Sequence, residues 1–421
     1  MRVIIKKSEV DGRTTVPPSK SYSHRALICS ALANGESTII SPLISDDIEA
    51  TADVLEKLGI SVTRGSKSWK IQGGTLQKFD GDLYCRESGT TLRLMTAFCT
   101  LVNGKSRLTT GQTLSNRPVG PLVDGLNQLG ANCISNEGFP PVSIMGNNSL
   151  KGGIAKIPGN ITSQFVSAIL LVAPLTDEGV TLRLTTPLES KPYVLMTIDA
   201  QHHFNVESIA SPSMKEFFIR KQEYKPKTYK VEGDWSSASY ILAAAALTGR
   251  VEVIGLNTFS SQADMKIIDV LRMMGAKISS TQESIIVERA RLNGIEVNVS
   301  DQPDLFPVIS ILCATANGRS IIHGTRRLRF KESDRLAATE EGLRRMGVKT
   351  QKRDHSFLIE GTYTRGSVID PRMDHRIAMA FGVLGLASDG ETTILNAECV
   401  SKSYPEFWHT LENLGSQIRR L

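Results

Sequence analysis

Residues 31–40 read ALANGESTII: the Ala/Leu-rich end of a helix, a turn with Gly35, then a β-prone run. The phrase returns as TLVNGKSRLT (100–109), PLTDEGVTLRL (174–184), AALTGRVEVI (245–254), TANGRSIIHG (315–324) and ASDGETTIL (387–395). The turn glycines, Gly35, Gly104, Gly179, Gly249, Gly318 and Gly390, stand 69 to 75 residues apart. Each copy predicts a helix closed by a glycine in the left-handed conformation and leading straight into a strand.

A second phrase follows each turn glycine by about 25 residues: LEKLGISV, LNQLGANCI, LRMMGAKI, LRRMGVKT and LENLGSQI. Leu or Met at i and i+3 or i+4 predicts an amphipathic helix capped by Gly59, Gly130, Gly275, Gly347 or Gly415. In the third copy, DAQHHFNVES, Phe204 stands where the glycine is expected. Two phrases held in phase six times predict a repeat of about 70 residues containing two helices and several strands.

A period of 70 is long for a solenoid, and two globular bodies of about 200 residues suit the 421-residue chain better. Candidate crossings are Pro17-Pro18, where neither a ladder nor a helix can continue, and the polar KQEYKPKTYKVEGDWSS segment. The charged stretch before it, ESIASPSMKEFFIRKQEYKPK, reads as an exposed hairpin or loop. Apolar residues make up 40% of the chain, enough for a sizeable core, and no run of about 20 apolar residues predicts a membrane span. The opening MRVIIKKSEV lacks the apolar core of a secretory leader, so the expected location is cytoplasmic. Cys29, Cys85, Cys99, Cys133, Cys313 and Cys399 are scattered, which argues against a disulfide framework and a zinc site. Lys plus Arg exceeds Asp plus Glu by 49 to 43 without a basic block, which suits small anionic ligands better than nucleic acid.

The chemistry-bearing residues gather at predicted helix starts. In VPPSKSYSHRALICSALANG, Ser19 or Ser21 can cap a helix that turns His24, Leu27, Ile28 and Ala31 inward. Lys20, Ser21 and Arg25 at that start, with its free N–H groups, suit a phosphate or carboxylate. Similar starts carry Ser88, Gly89 and Arg93; Arg117 before Pro118; Thr162, Ser163 and Gln164; Lys331 and Arg335 at i, i+4; Asp374, His375 and Arg376; and Lys402. Hydroxyls and cations at seven starts, where Asp is the commoner cap, predict a shared cleft for a ligand with several negative charges. His202-His203 reads as surface and the Met265–Met274 stretch as core filler. The fingerprints of P-loop kinases, Rossmann oxidoreductases and α/β-hydrolases do not occur.

Taken together, PSKSYSHRAL, SGTTLR, NRPVG, TSQF, SKPY, GDWSSASY, KESDR and DHRIAMAF resemble, in order and over essentially the whole chain, the 5-enolpyruvylshikimate-3-phosphate synthases. The resemblance implies a two-domain inside-out α/β barrel, each domain three βαβαββ units, with the active site in the interdomain cleft. The domains would be 20–231 and 1–19 plus 232–421. The family joins shikimate 3-phosphate to phosphoenolpyruvate with no metal or organic cofactor, and a monomer is expected, with no nucleic-acid or membrane partner.

By the same resemblance, Ser21, Arg25, Thr162, Ser163, Ser190, Arg327 and Lys331 would hold shikimate 3-phosphate, and Tyr193 would pack against its ring. Gly89, Arg117, Arg335, Arg376 and Lys402 would receive phosphoenolpyruvate, while Lys20 and Gln164 would touch both ligands. Asp304 would be the base for the attacking hydroxyl, Glu332 the carboxyl linked to methylene protonation, and Lys20 a third catalytic group. Two departures stand out: Glu87 and Arg327 occupy positions where the family often has Asn. The sister enzyme acting on UDP-N-acetylglucosamine has a cysteine where Gln112 stands here. An RNA-end-processing protein on a related repeat fold would need a late nucleophilic histidine and a basic stripe, and neither occurs.

Overall fold

The computed structural model describes residues 1–281 and 284–421. The chain forms two compact units, Pro18–Val231 and Met1–Pro17 with Glu232–Leu421. Each unit has its own hydrophobic core, drawn wholly from its own residues. Among the described residues no helix is long and apolar enough to cross a membrane.

Each unit carries three four-stranded sheets. One repeat shows the pattern that all six share: strand Gly81–Tyr84, helix Gly89–Phe98, strand Gly104–Thr109, helix Gly120–Gln128, strands Cys133–Asn136 and Phe139–Gly146. The first two strands pair in parallel, and the last strand inserts antiparallel between the second and the third. Strands distant in sequence complete three of the sheets. Thr228–Lys230 supplies the first strand of the sheet built on Gly35–Ile40. Asp11–Thr15 pairs with Arg250–Ile254, and Val3–Ile5 lies between Thr392–Ile394 and Ile418–Arg420.

The first helix of every repeat is buried almost all round; in Lys20–Leu32 every residue from Tyr22 onward is buried. Phe306–Thr315 and His375–Ala387 behave alike, and such helices must be enclosed by protein. The second helices bury one face, and strands such as Ser68–Gly73 alternate buried and open positions, so helices lie inside and sheets outside. This is the inside-out α/β architecture that the resemblance implies.

The repeat punctuation has a clear cause. Gly59, Gly130, Gly275, Gly347 and Gly415 all have φ between 90° and 95° or, for Gly347, 87°. Beyond each one, an N–H reaches back to close the helix end, as from Ile60 to the Leu55 carbonyl and from Val348 to that of Leu343. In the third repeat the left-handed residue is Asn205 (φ 63°), not Phe204, and Val206 N–H bonds the Gln201 carbonyl. Phe204 ends the helix where Leu58 ends its own, so asparagine, the residue best able to replace glycine there, keeps the turn.

Three further expectations need correction. Gly249 ends its helix with φ −165°, extended rather than left-handed, and in the other five copies the helix is capped by Ala33, Val102, Thr176, Ala316 or Ser388, so the glycine leads into the strand instead of closing the helix. Segment 207–227 contains the expected hairpin, Ser208–Ala210 with Glu216–Ile219, but Phe217 and Tyr224 from it are core residues. Acidic caps do occur, confined to the second unit: Asp234, Asp334 and Asp374 accept from Ser237, Ala337 and Arg376 N–H groups. His202 and His203 are exposed; Met274 is core, whereas Met273 is half exposed.

Candidate active site

In the unit Pro18–Val231, three buried helices begin with hydroxyl caps: Ser19 accepts from Tyr22 N–H, Ser88 from Thr91 and Thr162 from Gln164. These starts carry the predicted ligand groups, because each follows a strand end where the chain turns inward. Lys20 pairs with Asp47 at 3.1 Å, and the Asp47 carbonyl accepts the Thr91 hydroxyl at 3.1 Å. Gln164 is held from two sides, its oxygen by Arg93 Nη1 at 2.6 Å and its amide by Thr90 Oγ1 at 3.0 Å. Arg117 lies against Gly89: a Cβ built there would stand 2.9 Å from Arg117 Nη1.

Arg25 is buried and donates to Thr197 Oγ1, Ser167 Oγ and the carbonyls of Ser21 and Tyr193. Burial pulls its pKa down to about 10, which leaves it a cation at neutral pH. Ser190 caps the helix carrying Tyr193 with a left-handed φ of 58°, while Ser163 is buried at the start of its own helix. Within this unit the predicted residues thus fall into three groups: Lys20 on Asp47, Arg25 on the Tyr193 carbonyl, and Gly89 with Arg117 beside Arg93 and Gln164.

The other unit builds a denser cluster. Asp304 lies in the 3₁₀ turn Pro303–Leu305 ahead of helix Phe306–Thr315. Its Oδ1 takes Arg335 Nη1 at 2.6 Å and Lys331 Nζ at 3.2 Å, and its Oδ2 takes Arg376 Nη2 at 3.0 Å. Burial alone would raise the Asp304 carboxyl; Arg376, Lys331 and Arg335 together hold it well below the usual range. Burial conversely pulls Lys331 down to about 8, against the attraction of Asp304. Arg335 also binds Glu332 at 2.6 Å and Asp374 at 2.8 Å, and three carboxylates outweigh its burial to keep it charged.

Helix Arg335–Arg345 starts only at Arg335, so Lys331 lies outside it and the expected i, i+4 helical pair does not form. Both cations nonetheless reach one carboxylate, because the turn before the helix folds back over Asp304. Arg327 donates to the Ser300 carbonyl at 2.7 Å. Lys402 ends the turn Ala397–Lys402 and makes no hydrogen bond or ion pair among the described residues.

Some members were not legible as site residues. Asp264 is buried near Asp304 and Arg376; burial, then the Asp304 charge, raises its carboxyl to about 7. It sits in SQADMK, a stretch with no motif, and only the fold reveals its neighbours. Asp47 was equally silent. Asp374 was visible at its helix start but not as the partner of Arg335. Glu87 is engaged by the loop before Arg117: Thr113 N–H, Thr113 hydroxyl and Leu114 N–H donate to it at 3.1, 2.5 and 2.9 Å.

The comparisons with known proteins agree on one family. The model for EPSP synthase (3-phosphoshikimate 1-carboxyvinyltransferase) matches residues 4–411. The 3-phosphoshikimate 1-carboxyvinyltransferase of Dehalococcoides mccartyi is 43% identical over 420 residues, 99% of both chains. That of Halobacterium salinarum is 41% identical over 429 residues, again 99% of each. Among solved structures, EPSP synthase from Acinetobacter baumannii superposes with a TM-score of 0.84 at 27% identity, covering 99% of both chains. With matches that run nearly end to end and residues of the family's motifs gathered in each unit, the chain belongs to the EPSP synthase family.

Proposed function

We propose that this chain transfers the enolpyruvyl group of phosphoenolpyruvate to the 5-hydroxyl of shikimate 3-phosphate and releases phosphate, a step toward aromatic amino acids. The observation that carries the reading is one carboxylate, Asp304, ringed by Lys331, Arg335 and Arg376. A carboxylate inside three cations marks a place built for anions, and both substrates are anions.

The assigned roles follow from the chemistry. Arg117, Arg335, Arg376 and Lys402 bind phosphoenolpyruvate, with Gly89 allowing close approach. Ser21, Arg25, Thr162, Ser163, Ser190, Arg327 and Lys331 bind shikimate 3-phosphate, Tyr193 packs on its ring, and Lys20 and Gln164 serve both. Addition requires a proton on the methylene carbon and attack of the 5-hydroxyl oxygen on the neighbouring carbon, giving a tetrahedral adduct. Loss of phosphate with a methyl proton then restores the enol ether. Asp304 takes the hydroxyl proton, and Glu332 is linked to protonation of the methylene carbon.

As long as three cations hold it, Asp304 is a weak base. Once substrate carboxylate and phosphate recruit Arg376 and Lys331, the field that depresses its pKa weakens and its basicity rises. Binding of the anions thereby activates the base. The chain is expected to act as a monomer in the cytoplasm. The test is phosphate release with both substrates, each omitted in turn. Release only with both present supports the reading, and release from phosphoenolpyruvate alone contradicts it.

A further inference from the structure

We propose that Glu87 is a positioning residue that fixes Arg117 over Gly89 and so sets the affinity for phosphoenolpyruvate; the inference rests on Arg117 being a ligand of that substrate. Glu87 lies between strand Gly81–Tyr84 and the cap Ser88. The neighbouring parallel strand, Gly104–Thr109, leads into a loop and the 3₁₀ turn Leu114–Asn116, which delivers Arg117. Cys85 N–H to the Thr109 carbonyl and Gly111 N–H to the Arg86 carbonyl extend the pairing of the two strands beyond their ends. Glu87 continues it as a side-chain clasp.

The clasp takes over the work of a cap. A 3₁₀ turn leaves its first N–H groups without partners inside the turn, and the Thr113 side chain makes no capping bond of its own. Glu87 Oε1 accepts the Thr113 N–H, and Oε2 accepts both the Thr113 hydroxyl and the Leu114 N–H. Arg117 N–H then closes the turn on the Leu114 carbonyl at 3.0 Å. The fit leaves no slack: a Cβ on Gly111 would fall 2.1 Å from Glu87 Oε1. Arg117 emerges with its guanidinium against Gly89, where a Cβ would meet Nη1 at 2.9 Å and Cζ at 3.1 Å.

The role requires a carboxylate. Three donors approach two oxygens, and an amide would offer one oxygen and turn an NH₂ toward a donor. Charge-assisted bonds of this kind are about twice as strong as neutral ones, so the turn and Arg117 shift when they are lost. A misplacement of about 1 Å at a ligand-gripping group is enough to cost tenfold or more.

The experiment is steady-state kinetics and thermal unfolding of Glu87→Gln, Thr113→Val and Arg117→Lys beside the wild type. Glu87→Gln is expected to raise KM for phosphoenolpyruvate about tenfold, with KM for shikimate 3-phosphate and kcat within about threefold. Thr113→Val, which removes one of the three donors, is expected to raise the same KM about threefold. The double variant should do no worse than Glu87→Gln alone, because both act through one clasp. Unchanged KM for phosphoenolpyruvate in a folded Glu87→Gln, or equal rises for both substrates, would overturn the proposal. If Glu87→Gln does not fold, an unchanged KM in Thr113→Val overturns it. An Arg117→Lys enzyme with unaltered phosphoenolpyruvate kinetics would instead remove the reading of Arg117 on which the inference rests.

Discussion

Arg335 Nε meets Asp374 Oδ2 at 2.8 Å, and neither side chain has any exposed surface. Asp374 also takes the Ser333 hydroxyl at 3.1 Å and caps its own helix through Arg376 N–H at 3.0 Å. One carboxylate therefore holds the Arg335 guanidinium and anchors the backbone of Arg376, two residues whose cations surround Asp304. Removing Asp374 strips the buried Arg335 of one of its three carboxylates and helix His375–Ala387 of its cap, so Asp374→Ala is expected to cost about 3–5 kcal/mol in urea unfolding. Asp374→Asn, which still caps the helix, should cost less. Equal and small losses in both variants would show that the pair is not a structural anchor.

Lys331 gives a pH signature. Its ammonium, lowered to about 8 by burial, is charged below that pH and neutral above it. Under the proposed assignment of Lys331 to shikimate 3-phosphate, the charged form is the one that binds phosphate, so KM for this substrate should be flat below pH 7 and rise as pH passes through about 8. Lys331→Arg, which stays protonated in this range, should abolish the alkaline rise even where its fit is poorer. A KM that is constant from pH 7 to pH 9 in the wild type would contradict the assignment.

Gly89 tests the contact with Arg117 from the other side. Gly89→Ala places a methyl 2.9 Å from Nη1, and the guanidinium must give way. Alanine at the first position of a helix is no burden to stability. The expected result is a KM for phosphoenolpyruvate raised about tenfold, with shikimate 3-phosphate unaffected and the unfolding midpoint unchanged or higher. Equal effects on both substrates would point to a general distortion.

Much of this was legible because local chemistry carried it. The five LxxLG-type helix ends are readable since only a left-handed residue lets the chain reverse there, and glycine adopts that conformation most easily. The third copy lacks that mark because Asn205 takes the left-handed conformation in place of glycine. Gly249 follows the repeat but not its conformation. Lys20, Ser88, Thr162 and Asp374 were visible as helix starts. Asp264 was not, because its surroundings, Asp304 and Arg376, lie 40 and 112 residues away in the chain, and the residues of the Asp304 cluster were named by resemblance while their ion pairs came only with the fold. Glu87 could be seen to differ from its family, but what it holds depended on the neighbouring strand.

In the proposed reaction Asp304 is the base. It does not cap helix Phe306–Thr315, whose own cap position is Leu305 with no side-chain bond, so a capping role does not explain it. Asp304→Asn keeps the shape and removes the basic oxygen. The most direct measurement is single-turnover and steady-state kcat of folded Asp304→Asn with both substrates saturating. A general base contributes about 10²–10⁴-fold, so kcat should fall within that range while the protein keeps its fold. A folded variant with kcat within about threefold of wild type lies far outside that range and would contradict the account.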